Sequence, residues 1–453
     1  MSFVEKIMVK ARDASGTRIL LGGYCLLITL GTFLLSLPEA LQPGVESSFL
    51  TSFFTATSAA CVTGLVVVDT ATHWSLFGQG VILGLIQIGG LGFMTVCITI
   101  ISMTHLKIGM SGRILMQNSL SAPHIGGIVR MTRFVFAGTL LAEALGALFL
   151  SLRFVPSLGL GDGLWYSVFH SISAFCNAGF DLMGSYGPFQ SLVPFSGDLL
   201  VNSVIASLII IGGLGFPIWG DLFRCKFRFS HLTLHSKLAI STSLGLLILG
   251  FLLIYILEKD GLAMSAMTTG QKVLAAGFQS VTVRTAGFAT LDLATLSQPA
   301  IFLMSLLMLV GGSPGSTAGG IKTTTFAVLL LSISSTFRNR KNAEIFGRRL
   351  EDGLTRTATC VLMCYLLLSC GVAIYISHVD QVELYLAFFE SVSAIATVGL
   401  SAGLTPTLST GSLLLLTALM VFGRAGSLTI LGAFLSEKRH PSSLVPQEKI
   451  QIG

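Results

Sequence analysis

The 453-residue chain is 52% hydrophobic and 11% charged, with a mean hydropathy of +0.83. A soluble globular chain carries roughly 25% charged residues, so this composition excludes an ordinary set of soluble domains. The formal net charge of +6 is no nucleic-acid signal, because no basic cluster is interleaved with aromatic residues.

Runs of about 20 apolar residues read as membrane-spanning helices. One set covers 19–37, 134–152, 238–257 and 358–376; a second covers 80–101, 199–219, 300–310 with its continuation, and 412–435. The chain therefore reads as a multi-pass protein of the lipid bilayer. Pro38, Glu39 and Pro43 follow the first run where a signal peptide would carry a small-residue cleavage site, so this run reads as a retained span. The eight cysteines sit mostly inside apolar runs, as small hydrophobes do. Cys360 and Cys364 share a helix face but lack further ligands, so no metal site is expected there.

Between the paired runs lies a segment that occurs four times. Its copies are Phe54-Thr-Ala-Thr-Ser-Ala-Ala-Cys-Val-Thr-Gly64-Leu65, Phe169-His-Ser-Ile-Ser-Ala-Phe-Cys-Asn-Ala-Gly179-Phe180, Phe278-Gln-Ser-Val-Thr-Val-Arg-Thr-Ala-Gly287-Phe288 and Phe389-Glu-Ser-Val-Ser-Ala-Ile-Ala-Thr-Val-Gly399-Leu400. The third is one residue shorter, and the glycines are 115, 108 and 112 residues apart, the mark of an internal repeat. A single such glycine would read as a plain loop turn; four at matched spacing do not.

The apolar part of each copy, about 10 residues, is too short to cross and reads as re-entrant. Non-helical backbone at membrane depth is tolerated where protein buries it or a water-filled cavity borders it. A pore supplies that cavity, and carbonyl rings can replace the hydration shell of a monovalent cation. The pore-helix carboxyl ends add partial negative charge. The expected filter is Val62, Thr63 and Gly64; Asn177, Ala178 and Gly179; Thr285, Ala286 and Gly287; Thr397, Val398 and Gly399.

The expected fold is an all-α integral membrane protein. It has four covalently linked helix–pore-loop–helix units, eight spans plus four re-entrant pore helices, with fourfold pseudosymmetry around one pore. The boundaries are 1–104 (N-terminal tail and unit A), 105–222 (linker and unit B), 223–337 (linker and unit C, with a broken inner helix) and 338–453 (linker, unit D and C-terminal tail).

The inner helices of units A and B share Ile88-Gly-Gly-Leu-Gly-Phe93 and Ile211-Gly-Gly-Leu-Gly-Phe216, read mainly as small-residue helix packing. Unit C instead carries Gly311, Gly312, Ser313, Pro314, Gly315, Ser316, Thr317, Ala318, Gly319 and Gly320, which cannot continue an apolar helix. The helix is expected to break there and resume at Ile321, forming a gate beneath the filter. A phosphate-binding loop is rejected, since Ile321 stands between Gly320 and Lys322. Unit D places Arg424 at the matching depth, and an intramembrane arginine is a functional hypothesis by default. Arg424, with Lys322, is expected to form a positive barrier below the filter; the structural alternative pairs it with helix carbonyls or Glu143. His170 and Glu390 share one offset in the repeat and read as capping or solvating pore-helix starts. His231 and His235 read as a solvated face. No nucleophile–base constellation occurs, so no catalytic site is expected.

Of the 27 Lys and Arg residues, 21 fall before the first run, in the linkers 107–133, 224–237 and 338–356, or in the tail. Arg153, Lys259, Lys272 and Arg284 fall on the opposite side, and Lys322 and Arg424 within apolar runs. Positive residues favour the cytoplasm, so both termini are expected to be cytoplasmic and the repeats to open outward. Twelve acids on the outward side would raise the local cation concentration.

These motifs resemble the Trk/Ktr/HKT superfamily of potassium transporters over nearly the whole chain. Thr-Ala-Thr-Ser-Ala, the His170 copy, Arg-Thr-Ala-Gly-Phe and Ala-Thr-Val-Gly-Leu are most similar to the bacterial Ktr transmembrane subunit. The resemblance implies uptake of potassium ion, often with sodium as activator, by a homodimer in the cytoplasmic (inner) membrane with one pore per subunit. It implies a regulatory partner, a KtrA-like octameric ring of cytoplasmic RCK subunits that carries the nucleotide. It also assigns the filter role to the four glycines and the gate role to residues 312–320 and Arg424. The competing expectations are a Trk-type uptake subunit and an alternating-access carrier. A membrane enzyme is remote, since it needs paired intramembrane acids or histidines and Glu143 alone is evident.

Overall fold

Four times along the chain an outer helix, a short helix expected to line a pore (the pore helix) and an inner helix follow one another. The computed structural model describes residues 16–92, 128–340, 343–351 and 353–426. Unit A comprises α1 (Gly16–Leu35), α2 (Phe49–Ala60) and α3 (Leu76–Leu91). Unit B comprises α4 (Ile128–Leu158), α5 (Leu160–Phe175), α6 (Leu199–Gly213) and α7 (Phe216–Arg224). Unit C comprises α8 (Leu234–Glu258), α9 (Thr269–Thr282), α10 (Gln298–Met308) and α11 (Thr323–Phe337). Unit D comprises α12 (Leu354–Val379), α13 (Leu384–Ile395) and α14 (Thr410–Ala425). A two-stranded ribbon, β1 (Glu344–Ile345) with β2 (Arg348–Arg349), lies in the linker between units C and D.

Local chemistry starts the helices. Ser48 accepts from the Thr51 amide at α2, Thr268 and Gln271 make a capping box at α9, and Asp198 accepts from the Leu200 and Val201 amides at α6. Acids near the outer-helix ends start the inner helices of units C and D. Glu258 Oε1 accepts from the Ser297 amide and hydroxyl; Asp380 accepts from the Ser409 amide and the Ser412 hydroxyl. Capping is thus what several of the acids expected to face outward do.

The uninterrupted inner spans expected for units A, B and D do not form. Gly92, Gly215 and Gly426 adopt φ of 84°, 97° and 86° with ψ near 130°, a positive-φ region that favours glycine; α3 and α14 end at Gly92 and Gly426, and α6 ends two residues before Gly215. Past Gly215 the chain turns by 92° into α7. Residues 93–101 and 427–435, the rest of two expected runs, lie outside the described residues. At 1.5 Å per residue the 16-residue α3 rises about 24 Å, short of a hydrocarbon core of about 30 Å. Among the described residues three helices, in α4, α8 and α12, are long and apolar enough to cross by themselves, and α6 with α7 makes a fourth, bent, candidate. The outer helices expose large apolar side chains, among them Leu141 and Leu152 on α4, Ile248 and Ile256 on α8, and Leu367 and Ile374 on α12. Water would not tolerate so continuous an apolar surface, whereas lipid does.

Packing follows one rule around the molecule. Each inner helix lies against the pore helix of the next unit: α3 on α5, α6 on α9, α10 on α13, and α14 back on α2. The phenylalanine that opens each repeat is the buried wedge of this arrangement; Phe54, Phe169, Phe278 and Phe389 are at most 3% exposed.

Candidate functional site

Each repeat ends in the same backbone conformation. Val62, Asn177, Thr285 and Thr397 have φ of 57°, 59°, 68° and 51°, and two residues later Gly64, Gly179, Gly287 and Gly399 have φ of 96°, 71°, 81° and 91°. A β-branched residue at positive φ is strained and persists when its surroundings over-determine it. Those surroundings are visible in α2, α5 and α13. The Val62, Asn177 and Thr397 amides donate to the carbonyls of Ala59, Ala174 and Ala394, each at 3.1 Å. The next amides donate to Ser58, Ser173 and Ser393, each at 2.8 Å. This pair of bonds closes a helix carboxyl end around one left-handed residue.

A hydroxyl four residues after the phenylalanine then fixes the glycine. Ser58 and Ser393 accept from the Gly64 and Gly399 amides at 3.1 Å; Ser173 and Thr282 donate to the carbonyls of Phe180 and Phe288 at 2.7 and 2.6 Å.

The four glycines meet. A side chain on Gly64 would strike the carbonyl oxygen of Ala178, on Gly179 that of Ala286, on Gly287 that of Val398, and on Gly399 that of Thr63. Going round, four carbonyls from residues preceding the glycines face the neighbouring turns. A side chain fits at none of the four. The Oγ1 atoms of Thr63, Thr285 and Thr397 and the Nδ2 of Asn177 are buried without a hydrogen-bond partner among the described residues. On one side of the ring a cavity of about 590 Å³ touches all four glycines and is lined by Asp69, Asp181 and Asp292.

On the other side lies the loop between α10 and α11. It closes on itself through Gly311 N–H to Ile321 O, Ile321 N–H to Leu309 O and Thr323 N–H to Gly312 O. It also grips its neighbours. Ser313 and Thr317 donate their amides to Gly213 and Gly212 carbonyls, Gly315 O accepts from Phe216 N–H, and Thr317 Oγ1 donates to Phe175 O at 3.1 Å. A side chain on Gly319 would strike Thr397 of the fourth turn. Pro314 faces Gly215 through its carbonyl, and Ser316 Oγ is buried without a hydrogen-bond partner among the described residues. Lys322 donates to the loop's own Ala318 carbonyl at 2.7 Å. Arg424 donates to Thr317 O at 2.5 Å and to the carbonyls of Gly89 and Gly90. So Arg424 ties together α3, α14 and the loop through carbonyls, and Glu143 is instead paired with Gln87 Nε2 at 3.1 Å.

Two other expectations need correcting. His170 and Glu390 do not sit at solvated helix starts; both are fully buried. His170 bonds Tyr166 O through Nδ1 and accepts from the Leu182 amide, while Glu390 accepts from the hydroxyls of Ser401 and Thr405. Each braces the segment that follows its glycine turn, as a buried polar group must find a partner. Arg284, counted with the outward charges, instead donates to Ser243 and to the Gly311 carbonyl at the start of the inner-helix break. The inner-helix glycines do pack as expected, and the contact is specific: side chains on Gly89, Gly212 and Gly423 would strike the carbonyls of Ala60, Phe175 and Ile395 at the pore-helix ends. His231, exposed in a surface loop, fits the solvated reading, whereas His235, in the first turn of α8, is half-buried.

The family described as TrkH, cation transport protein, matches residues 27–444. The chain belongs to the TrkH family. This TrkH-family chain is a membrane cation transport protein and not an enzyme. It is 38% identical to the potassium/sodium uptake protein NtpJ of Enterococcus hirae, over 97% of each chain. It is 39% identical to Ktr system potassium uptake protein B of Bacillus subtilis, over 92% of each, and 36% identical to that of Vibrio alginolyticus, over 96% of this chain and 94% of the other. It is thus similar to Ktr-type membrane subunits. Its fold is that of the potassium transporter TrkH of Vibrio parahaemolyticus, with a TM-score of 0.73 over 93% of this chain and 85% of the other at 18% identity.

Proposed function

We propose that this chain takes up potassium through a filter made of the four turns, and that it is the membrane subunit of a Ktr-type system. The observation that carries this reading is the closed ring of four glycine turns whose carbonyls face one another. Carbonyl rings match a weakly hydrated monovalent cation. The strained backbone at Val62, Asn177, Thr285 and Thr397 is shared by all four turns, as a common ligand would require. The cyclic packing of inner on pore helices supports fourfold pseudosymmetry around one pore, with unit boundaries near 104, 222 and 337.

The loop carrying residues 312–320 serves as the gate, with Lys322 and Arg424 as its latch. Its backbone bonds to unit B and its contact with the fourth turn support that role. Names of relatives supply the cargo: potassium in the Ktr proteins, potassium and sodium in NtpJ. Sodium acts as activator, and the chain works as a homodimer in the cytoplasmic membrane. Both termini are cytoplasmic, where a KtrA-like nucleotide-binding RCK ring docks. High identity over nearly the whole length favours a Ktr-type over a Trk-type subunit.

The test is growth of a potassium-uptake-deficient strain on limiting potassium. Gly399→Ser is expected to raise the apparent KM for potassium about tenfold, because its side chain meets the Thr63 carbonyl. Rescue at unchanged affinity removes the filter assignment.

A further inference from the structure

The third turn is held differently from the other three. The paired bonds that close α2, α5 and α13 are not repeated at α9, because that copy of the repeat lacks one residue. Instead Arg284 N–H reaches Val281 O at 3.2 Å and Ala286 N–H reaches Thr282 O at 2.9 Å. Thr285, between them, still carries a left-handed φ of 68°. A strained residue with fewer local closures needs another anchor.

That anchor is the Arg284 side chain. Its Nη2 donates to Ser243 Oγ at 3.1 Å and to Gly311 O at 3.0 Å, and its Nη1 points to Ser243 O at 3.4 Å. One guanidinium therefore joins the third turn, the outer helix α8 and the first residue of the inner-helix break. Among the described residues it forms no salt bridge, so its charge rests on carbonyl and hydroxyl oxygens. A cavity of about 30 Å³ separates Arg284 from Asn177 of the second turn. Arg284 Nε and Asn177 Nδ2, both buried, have no hydrogen-bond partner among the described residues, and the space suits a bridging water.

We propose that Arg284 is a positioning residue that sets the third filter turn and couples it to the loop's hinge at Gly311. It touches no ion; it acts through the backbone of Thr285–Gly287. The proposal rests on the filter and gate reading above.

Purified protein in proteoliposomes, loaded for rubidium uptake with potassium or sodium as competitor, tests it. The wild type reads the filter assignment: absence of potassium preference there overturns that reading, not this one. With a selective wild type, folded Arg284→Gln is expected to lose about tenfold in potassium-over-sodium preference, as for loss of charge-assisted bonds. Arg284→Lys recovers part of it, which a purely structural role would not require. Arg284→Gln that keeps the wild-type preference overturns the proposal. If it yields no monodisperse protein, Ser243→Ala decides: a loss of about threefold supports the coupling, and an unchanged preference overturns it.

Discussion

Ser58, Ser173, Thr282 and Ser393 occupy one step of the repeat and bond in two ways: in the first and fourth turns the hydroxyl accepts from the glycine amide, in the second and third it donates to the following carbonyl. The alternation is a residue-scale feature that repeat spacing alone does not reveal. The residue type was legible, since each copy carries Ser or Thr there; the partner was not, because it depends on how the chain returns. Asp181 supplies a second residue-scale case. It lines the cavity above the ring, and burial pushes its carboxyl up to about 7, with the charge of Asp69 adding to the rise. The charged form prevails above that value and is lost as pH falls through it. Lowering the pH on the cavity side from about 8 to about 6 is therefore expected to weaken apparent potassium affinity. Asp181→Asn should flatten that part of the pH profile in a rubidium-uptake assay. An unchanged profile in the variant would show that another group carries the titration.

At the scale of elements, the glycine after each inner helix matters more than small-residue packing implies. Gly215 sits at φ 97° with its would-be side chain 2.7 Å from the Pro314 carbonyl, so Gly215→Ala should cost more than about 1 kcal/mol. Gly220, five residues on within α7, has open space, and Gly220→Ala should be neutral or stabilise by about 0.5–1 kcal/mol. Thermal unfolding in one detergent compares the two; equal midpoints would contradict a hinge at Gly215. Arg424 is the other element-scale case. Its bonds to Thr317 O, Gly89 O and Gly90 O clamp the loop to two inner helices. Arg424→Ala should speed rubidium flux, and an unaltered rate at normal expression would leave the loop without its latch. Glu143 was a plausible partner by charge alone, and Gln87 takes it because α4 presents Glu143 to α3 rather than to α14.

The whole molecule closes by one rule, each inner helix on the next pore helix, with α14 returning to α2. Closure makes the four glycines equivalent in kind, since each faces the carbonyl of a neighbouring turn. Serine at Gly64, Gly179 or Gly287 should therefore raise the KM for potassium in the same direction as at Gly399, measured in the same strain. An effect confined to one position would argue against a shared ring. The membrane class, the repeated short helix with its glycine turn, and the break before Ile321 were legible in the sequence. Composition, segment length and glycine content are local properties that survive without coordinates. Partner identity was decided by the tertiary structure: Arg424 on carbonyls, His170 and Glu390 turned inward as braces, and the half-buried Arg284 bonded to Gly311. A buried polar atom takes whichever partner the packing brings within about 3 Å, and that distance is set by segments far apart in the chain.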